Sequence, residues 1–269
     1  MRNRKSRRIL KLRGAENIEQ RELLRRTLLN HSYGLSKYWI FALDAVAREW
    51  YSHDWPLPVE VSRLAELNLL GSKIIFDVGA HQGIIAMLLA ELNGEGGEII
   101  AVEAHPFNSF FAKQNVERNG FKSVTVLNAA VDSVPGHARF IDDLNGALHN
   151  GIEEVKTFEV LSTTLDELSD LFGQPDIVFL DIEGAEVEAL KGAKAVLGRG
   201  KTHFLIEVHL KTGLEVLGGS LAELLSFFHE DKFEFEVCLI PEKKFMKVKK
   251  ESVFDIQERF FLLALSKGN

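Results

Sequence analysis

The stretch IIFDVGAHQGIIAMLLA, residues 74–90, decides the fold of this chain. Apolar residues lead into Asp77, the chain turns between Gly79 and Gly83, and a helical pattern follows. Similar β-rich segments alternate with helical ones further along the chain, which is typical of a parallel sheet with helices on both faces. The sequence therefore predicts an α/β fold built on a doubly wound, mostly parallel seven-stranded sheet.

Two departures from a simple alternation are expected. The last two strands, FEFEVCLI and ERFFLLAL, are joined by the short basic turn PEKKFMKVKKES. They are predicted to be antiparallel, because a parallel pair needs a crossover of about a dozen residues or more, usually helical. Residues 132–160 are rich in turn formers and predict a hairpin or excursion. A helix over TTLDELSDLF should follow, capped by Thr163 or Thr164, with Glu167 completing a capping box.

Upstream of the sheet, we divide the chain into a basic tail (1–26), a helical segment (27–70) and the main domain (71–269). From Glu19 to Tyr51 apolar residues recur at a spacing of three to four, which predicts two helices separated at Gly34. The stretch WPLPVE, residues 55–60, ends this pattern, because each proline restricts its own backbone and that of its predecessor.

Composition and charge bound the class of protein. The 269 residues are 46% hydrophobic with a net charge of −7, yet residues 1–26 carry +7 and the remainder −14, which argues against nucleic-acid binding by the main domain. The tail is predicted to be solvated, with weak contact to an anionic surface as the alternative. No apolar run approaches the ~18 residues of a membrane span, and no secretory signal is present, so we expect a cytoplasmic protein. The single cysteine, Cys238, excludes a disulfide and is expected to be buried in a strand.

The turn DVGAHQG lies where doubly wound sheets bind ligands, at the carboxyl end of the first strand. The second strand ends in Glu103, about twenty residues beyond the glycines, where a carboxylate can accept hydrogen bonds from both ribose hydroxyls. The alternative role for Glu103 is to cap the helix that starts near Pro106 or Asn108. The glycine spacing G-x-x-x-G differs from the dinucleotide pattern G-x-G-x-x-G, and Asp77 would repel a diphosphate but attract an ammonium. These features favour S-adenosylmethionine as the ligand.

The chain resembles the FkbM family of class I, Rossmann-like S-adenosylmethionine-dependent methyltransferases. The resemblance covers roughly residues 70–210 and its most specific block is DIEGAE followed by LKGA; its motifs are DVGAHQG (77–83), VEAHPFNSFFAKQNVERNG (102–120), VLNAAVDS (126–133), TTLDEL (163–168), DIVFLDIEGAEVEALKGAKAVL (176–197) and THFLIEVH (202–209). Members are mostly O-methyltransferases, which implies a hydroxyl on a small-molecule or carbohydrate-like acceptor. His81 stands where the family usually has asparagine. The resemblance implies a cofactor site made of Asp77, Gly79, Ala80, His81, Gly83, Glu103, Ala104, Asn128, Ala129 and Asp181.

Candidate catalytic residues follow the fourth and fifth strands, in LDIEGAE and LIEVH. If these strands are neighbours, Asp181, Glu183, Glu207 and His209 converge. His209 is the predicted base, because its ordinary pKa lies near neutrality and nearby carboxylates would raise it, with Glu183 and Asp181 beside it. A plain strand-end hydrogen-bonding role is the alternative for His209. The oxygen-rich cluster is also a candidate Mg²⁺ site, although we assign no metal ligand.

Other polar residues receive no chemical role. Glu186 and Glu188 are predicted to be solvated or to favour the helix dipole in the first turns of the following helix. His105, His137 and His149 are predicted to lie on the surface or in loops. Two other functions stay open: a cofactor-binding interaction module without catalysis, and a nicotinamide-dependent oxidoreductase, which the glycine spacing and Asp77 disfavour.

Overall fold

The computed structural model describes residues 28–42, 45–141, 157–240 and 242–268. The basic tail and His149 lie outside these residues. The chain divides into two compact units between Pro56 and Leu57, inside the WPLPVE stretch. The helix that begins within this stretch, at Val59, therefore belongs to the larger unit.

In the smaller unit, the prediction of two helices over residues 19–51 is wrong for most of the residues that the structure describes. Strands β1 (Leu28–Tyr33) and β2 (Ser36–Phe41) form an antiparallel hairpin, and only α1 (Ala45–Tyr51) is helical. The two-residue loop begins with Gly34 at φ +65°, as a type II′ turn requires. Buried and exposed residues alternate along most of β2, as expected for a strand. Its aromatic and β-branched residues favour a strand even though the apolar spacing also fits a helix.

The larger unit contains most of the regular structure. Its strands are β3 (Ile74–Val78), β4 (Glu98–Glu103), β5 (Val124–Asn128), β6 (Ala130–Val131), β7 (Gly136–Ile141), β8 (Thr157–Thr163), β9 (Ile177–Leu180), β10 (His203–Val208), β11 (Phe233–Leu239), β12 (Met246–Val248) and β13 (Phe260–Ser266). Its helices are α2 (Val59–Glu66), α3 (Ile84–Asn93), α4 (Pro106–Asn119), α5 (Leu165–Phe172), α6 (Glu186–Lys191), α7 (Lys194–Arg199), α8 (Leu221–Ser226) and α9 (Lys250–Val253). A π-helical turn spans Leu210–Leu214.

The main sheet is Rossmann-like, as the sequence predicts. Its strand order is β12-β11-β13-β10-β9-β3-β4-β5, and β10, β9, β3, β4 and β5 are mutually parallel. Strand β13 lies between β10 and β11 and is antiparallel to both, so the predicted antiparallel last pair is confirmed. The short strand β12, formed within the predicted turn, adds an eighth strand at the edge.

Helices cover both faces of this sheet. Alternate residues of the central strands, such as Phe76, Val178 and Ile206, form one core with residues of α5, α6, α7 and α8. Helices α3 and α4 pack on β4 and β5 outside that core and cover the other face. All of β9 and β10 is buried, which explains why these strands read as apolar runs rather than as alternating ones.

The excursion between β5 and α5 is a separate small sheet with strand order β6-β8-β7. Helix α5 begins after Thr164, whose hydroxyl accepts a hydrogen bond from the N–H of Glu167 at 3.0 Å. The Glu167 carboxylate accepts instead from the hydroxyl of Thr163, so both predicted threonines support the cap. Cys238 is buried in β11, as expected. Across the described part of the chain, no helix combines the length and apolarity needed to span a membrane.

Candidate functional site

The glycine turn after β3 is shaped by the neighbouring strands. The N–H groups of Gly79 and Ala80 both donate to the Val102 carbonyl, at 2.9 and 3.1 Å. Gly79 has φ +90°, and a Cβ there would lie 1.8 Å from the carbonyl oxygen of Asp181. The close backbone approach that this glycine permits is therefore to the protein's own loop after β9. Gly83 precedes α3 at φ +84°, and no side chain caps that helix, so its first N–H groups suit an anionic group.

Asp77 is a buried carboxylate at the end of β3. Its side chain is 2% exposed, and Oδ2 has no hydrogen-bond partner among the described residues. Burial, and then the charge of Glu103, raises the pKa of Asp77 to about 7. A buried carboxylate without a partner is costly, and a cation placed beside it would remove that cost. The site therefore fits the ammonium group of an amino acid.

Glu103 holds the turn after β3 and the turn after β4 together. Its Oε2 accepts from the backbone N–H of His81 and its Oε1 from that of His105, each at 2.8 Å. Burial raises the pKa of Glu103 to about 7, although these two hydrogen bonds oppose the rise. A carboxylate offers about four acceptor positions, and the Asn108 side chain also hydrogen-bonds to this one, so about one position remains for a ribose hydroxyl.

This geometry explains His81 in the turn. The residue has φ +46°, in the left-handed region where asparagine, aspartate and histidine are enriched among non-glycine residues. The group that organises the site is its backbone N–H, which donates to Glu103. The replacement of asparagine by histidine therefore preserves the backbone contact.

Residues beside Glu103 complete this end of the sheet. The Asn128 side-chain amide donates to the carbonyls of Glu103 and Ala104, at 2.9 Å each, and the N–H of Ala129 also donates to the Glu103 carbonyl. His105 lies in the loop between β4 and α4, one of the two positions predicted for it, but it is buried rather than on the surface. It caps α4, its Nδ1 accepting from the N–H of Phe107. His137 is exposed.

A second cluster lies where β9 and β10 end, and these strands are parallel neighbours. The Nε2 atom of His209 lies 3.7 Å from Asp181 Oδ1 and 3.4 Å from Glu183 Oε2. His209 is 1% exposed, whereas the two carboxylate side chains are each 36% exposed. Although part of the Asp181 side chain is exposed, burial of the rest raises its pKa well above the ordinary value, and the charges of Glu207 and Glu183 add to the rise. The structure therefore brings together the four residues predicted to converge.

Glu186 lies in the first turn of α6, where it favours the helix dipole as predicted, but the solvated position predicted as the alternative is wrong. It is fully buried, and its Oε1 lies 3.1 Å from His209 Nδ1 and accepts from the N–H of Gly184 at 3.0 Å. The side chain of Glu188, two residues further along the same helix, is 42% exposed and pairs with Lys191, in line with the solvated role predicted for it. The chain direction after β9, which the sequence pattern does not show, turns the first residue of α6 inward.

The comparisons with known proteins agree with this architecture. Residues 77–235, more than half of the chain, match the methyltransferase FkbM domain. The chain belongs to the FkbM methyltransferase family. The crystal structure of a methyltransferase FkbM from Methylobacillus flagellatus KT is similar in fold, with a TM-score of 0.51 and 16% identity over 77% of this chain and 48% of that one.

Two curated relatives match shorter stretches of this FkbM-family chain. The protein-L-isoaspartate O-methyltransferase of Aeropyrum pernix is 38% identical over 72 residues, covering 26% of this chain and 27% of the relative. The enzyme of the same name from Methanosarcina mazei is 37% identical over 83 residues, covering 30% and 32%. The chain therefore matches about a third or less of the length of these relatives.

Two residues outside the family match interact with Glu207 of the second cluster, and no role was predicted for either from the sequence. Arg259 forms an ion pair with Glu207, which is buried. Burial, and then the charge of Glu207, raises the pKa of Glu60 in α2 to about 7. No motif marks either residue, because Glu60 precedes the matched region and Arg259 follows it. The ion pair with Glu207 makes Arg259 a candidate for contact with the acceptor.

The described residues do not fit a Mg²⁺ site. One atom each from Asp181, Glu207 and His209 lies within 4.8 Å of the others. However, Mg²⁺ prefers oxygen ligands in an octahedral arrangement, whereas this set includes an imidazole nitrogen. In addition, the guanidinium of Arg259 already supplies the positive charge beside Glu207.

Proposed function

We propose that this FkbM-family chain transfers a methyl group from S-adenosylmethionine to a hydroxyl oxygen of a small-molecule or carbohydrate-like acceptor. The observation that carries the proposal is the pair of buried carboxylates, Asp77 and Glu103, at the ends of adjacent strands. They match the ammonium and the ribose of one small molecule. The curated relatives are named O-methyltransferases, which supports oxygen as the accepting atom.

Each part of the cofactor site has a task. Asp77 would pair with the ammonium, Glu103 would accept from a ribose hydroxyl, and the uncapped start of α3 would face the carboxylate. Asn128 and Ala129 would lie along the adenine, held by their hydrogen bonds to the Glu103 carbonyl. The remaining turn residues, Gly79, Ala80, His81, Gly83 and Ala104, would form the backbone around the ligand.

His209 would act as the base for the acceptor. S-adenosylmethionine supplies an electrophilic methyl group bonded to a sulfonium. As the carbon–sulfur bond breaks and the carbon–oxygen bond forms, the acceptor hydroxyl loses a proton, and His209 Nε2 would take it. Asp181 and Glu183, which flank Nε2 and are partly exposed, would orient the hydroxyl. Holding the acceptor near attack geometry supplies much of the remaining rate.

Two measurements test the proposal. Calorimetric titration should show binding of S-adenosylhomocysteine and none of NAD; the reverse result would overturn it in favour of an oxidoreductase. Transfer of a radiolabelled methyl group across a library of sugars and small alcohols should then yield methyl ethers. Cofactor binding with no methyl transfer to any member would favour the non-catalytic interaction module.

The base assignment is tested separately by His209→Gln. Turnover should fall about 10²- to 10⁴-fold, the usual contribution of a positioned base, while affinity for S-adenosylhomocysteine stays within about twofold. A variant with wild-type turnover would remove His209 from the chemistry but leave the cofactor site unaffected.

A further inference from the structure

We propose that Glu186 is a positioning residue, which fixes the His209 ring so that Nε2 is the unprotonated nitrogen facing the acceptor side. The inference deepens the proposed function and rests on it for its catalytic meaning. The arrangement of Glu186 and His209 is itself a property of the folded chain and can be tested without any acceptor.

The hydrogen bond between the two side chains sets the tautomer. His209 Nδ1 lies 3.1 Å from Glu186 Oε1, and the side chains are 1% and 0% exposed. A carboxylate only accepts, so the neutral imidazole must carry its proton on Nδ1. The other nitrogen, Nε2, then has a free lone pair. General-base histidines are commonly oriented in this way, by a carboxylate that accepts a hydrogen bond from the other ring nitrogen.

The other ring nitrogen, Nε2, faces the carboxylates of Asp181 and Glu183. Nε2 is buried and makes no hydrogen bond with any residue that the structure describes. Its nearest charged neighbours, Asp181 and Glu183, are partly exposed, so they lie between the ring and solvent. Nδ1 of the ring therefore contacts the buried Glu186, whereas Nε2 is directed toward the partly exposed carboxylates of Asp181 and Glu183.

Glu186 also has no other charged partner in the described ranges besides His209. A fully buried carboxylate is expensive to retain unless it is paired and hydrogen-bonded. It is supported by the Gly184 N–H, which donates to the same oxygen that contacts His209. A residue with only a helical role would be at least partly exposed in the first turn, as Glu188 is.

The backbone around the two residues is locked by close contact. A Cβ on Gly184 would lie 2.3 Å from the carbonyl carbon of Gly213, and a Cβ on Gly213 would lie 2.6 Å from the carbonyl oxygen of Glu183. Glu183 itself holds φ +53°. The carbonyl of His209 accepts from the N–H groups of Gly213 and Leu214 in the π-helical turn. The loop at Glu183 and Gly184 therefore packs directly against the π-helical turn at Gly213, with no side chain between them. This backbone contact fixes the distance between Glu186 and His209.

The charges around the ring favour its proton. Burial lowers the pKa of His209, but the hydrogen bond to Glu186 and the neighbouring carboxylates outweigh this, and the pKa is raised. Loss of the Glu186 charge should therefore lower the pKa and make Nε2 a weaker base. The titratable or charged groups that face His209 are Asp181, Glu183, Glu186, Glu207 and, through Glu207, Arg259.

The test is an NMR titration of the full chain labelled with ¹⁵N-histidine, with His209→Gln used to assign the His209 signals. The wild-type ring, once neutral, should show Nδ1–H and an unprotonated Nε2. Glu186→Gln should lower its titration midpoint by about one pH unit or more, the usual effect of an opposite charge at this distance. Glu188→Gln, the same change on the exposed side of α6, should leave the midpoint in place.

Two results would overturn the inference: a wild-type ring protonated on Nε2, or equal midpoints in wild type and Glu186→Gln. The first needs no variant, so the test holds even if Glu186→Gln fails to fold. Where methyl transfer is measurable, the acid limb of the kcat profile should move to lower pH in Glu186→Gln, and Glu186→Asp should restore part of the shift. If His209→Gln keeps full turnover while the NMR results hold, the proposed base fails and the positioning role of Glu186 on the ring stands.

Discussion

The buried carboxylate of Asp77 should make the cofactor-free protein less stable as the pH rises. In the folded protein Asp77 keeps its proton to about pH 7, whereas in the unfolded chain it loses the proton near its ordinary value of 3.8. Between these values the unfolded state binds fewer protons, so the free energy of unfolding falls with rising pH. The rise in pKa corresponds to at most about 4 kcal/mol lost by pH 8, since one unit is worth about 1.4 kcal/mol.

Asp77→Asn removes the charge and keeps the shape. The variant should match wild type near pH 4 and exceed its free energy of unfolding by up to about 4 kcal/mol at pH 8. Its affinity for S-adenosylhomocysteine should fall at least about tenfold, because the ammonium loses its partner. Urea denaturation from pH 4 to 8, combined with calorimetric titration, measures both effects.

The control is Asp170→Asn, the same change at an exposed position in α5, which should show no pH-dependent difference from wild type. A constant difference between Asp77→Asn and wild type across this pH range would refute the link between burial and charge. Wild-type affinity for S-adenosylhomocysteine in Asp77→Asn would remove the residue from the cofactor site.

Three further outcomes are expected. Glu103→Ala should weaken S-adenosylhomocysteine binding by more than about 1.4 kcal/mol, or tenfold, in calorimetry, and unchanged affinity would exclude the ribose contact. Gly184→Ala should lower the free energy of unfolding by about 3 kcal/mol or more, because its Cβ would overlap Gly213, whereas Gly198→Ala in helix α7 has free space and should not destabilise the protein. His81→Asn should keep cofactor affinity, since the left-handed backbone is retained, while His81→Val should lose about 1–3 kcal/mol of stability in denaturation.

Much of the fold follows from local sequence, because buried parallel strands and the turns between them leave short-range patterns. The apolar run before Asp77, the glycines after it and the threonine cap of α5 each need only a few neighbouring residues to be interpreted. The hairpin over residues 28–41 was not predicted, because its leucines and aromatic residues also fit a helical spacing. Its conformation depends on the turn at Gly34 and on packing between the strands, such as the stacking of Tyr33 on Tyr38.

The candidate site likewise contains residues that the sequence predicts and residues that it does not. Asp77, Glu103 and His209 end predicted strands, so topology alone places them at one edge of the sheet. Glu186 required the left-handed backbone at Glu183 and the contact between Gly184 and Gly213, neither of which has a pattern in one sequence. Arg259 is brought to Glu207 by a contact 52 residues apart in sequence, which no local motif records.

The position of β13 inside the sheet limits how far this protein can be truncated. The family match ends at residue 235, inside β11, yet β13 pairs with β10 on one side and with β11 on the other. A fragment trimmed to residues 77–235 would lose this strand and most of β3, exposing the backbone edge of β10 and separating β11 from the sheet. Such a fragment would expose unpaired strand edges, which promote aggregation. A fragment with an intact sheet must therefore extend through Ser266.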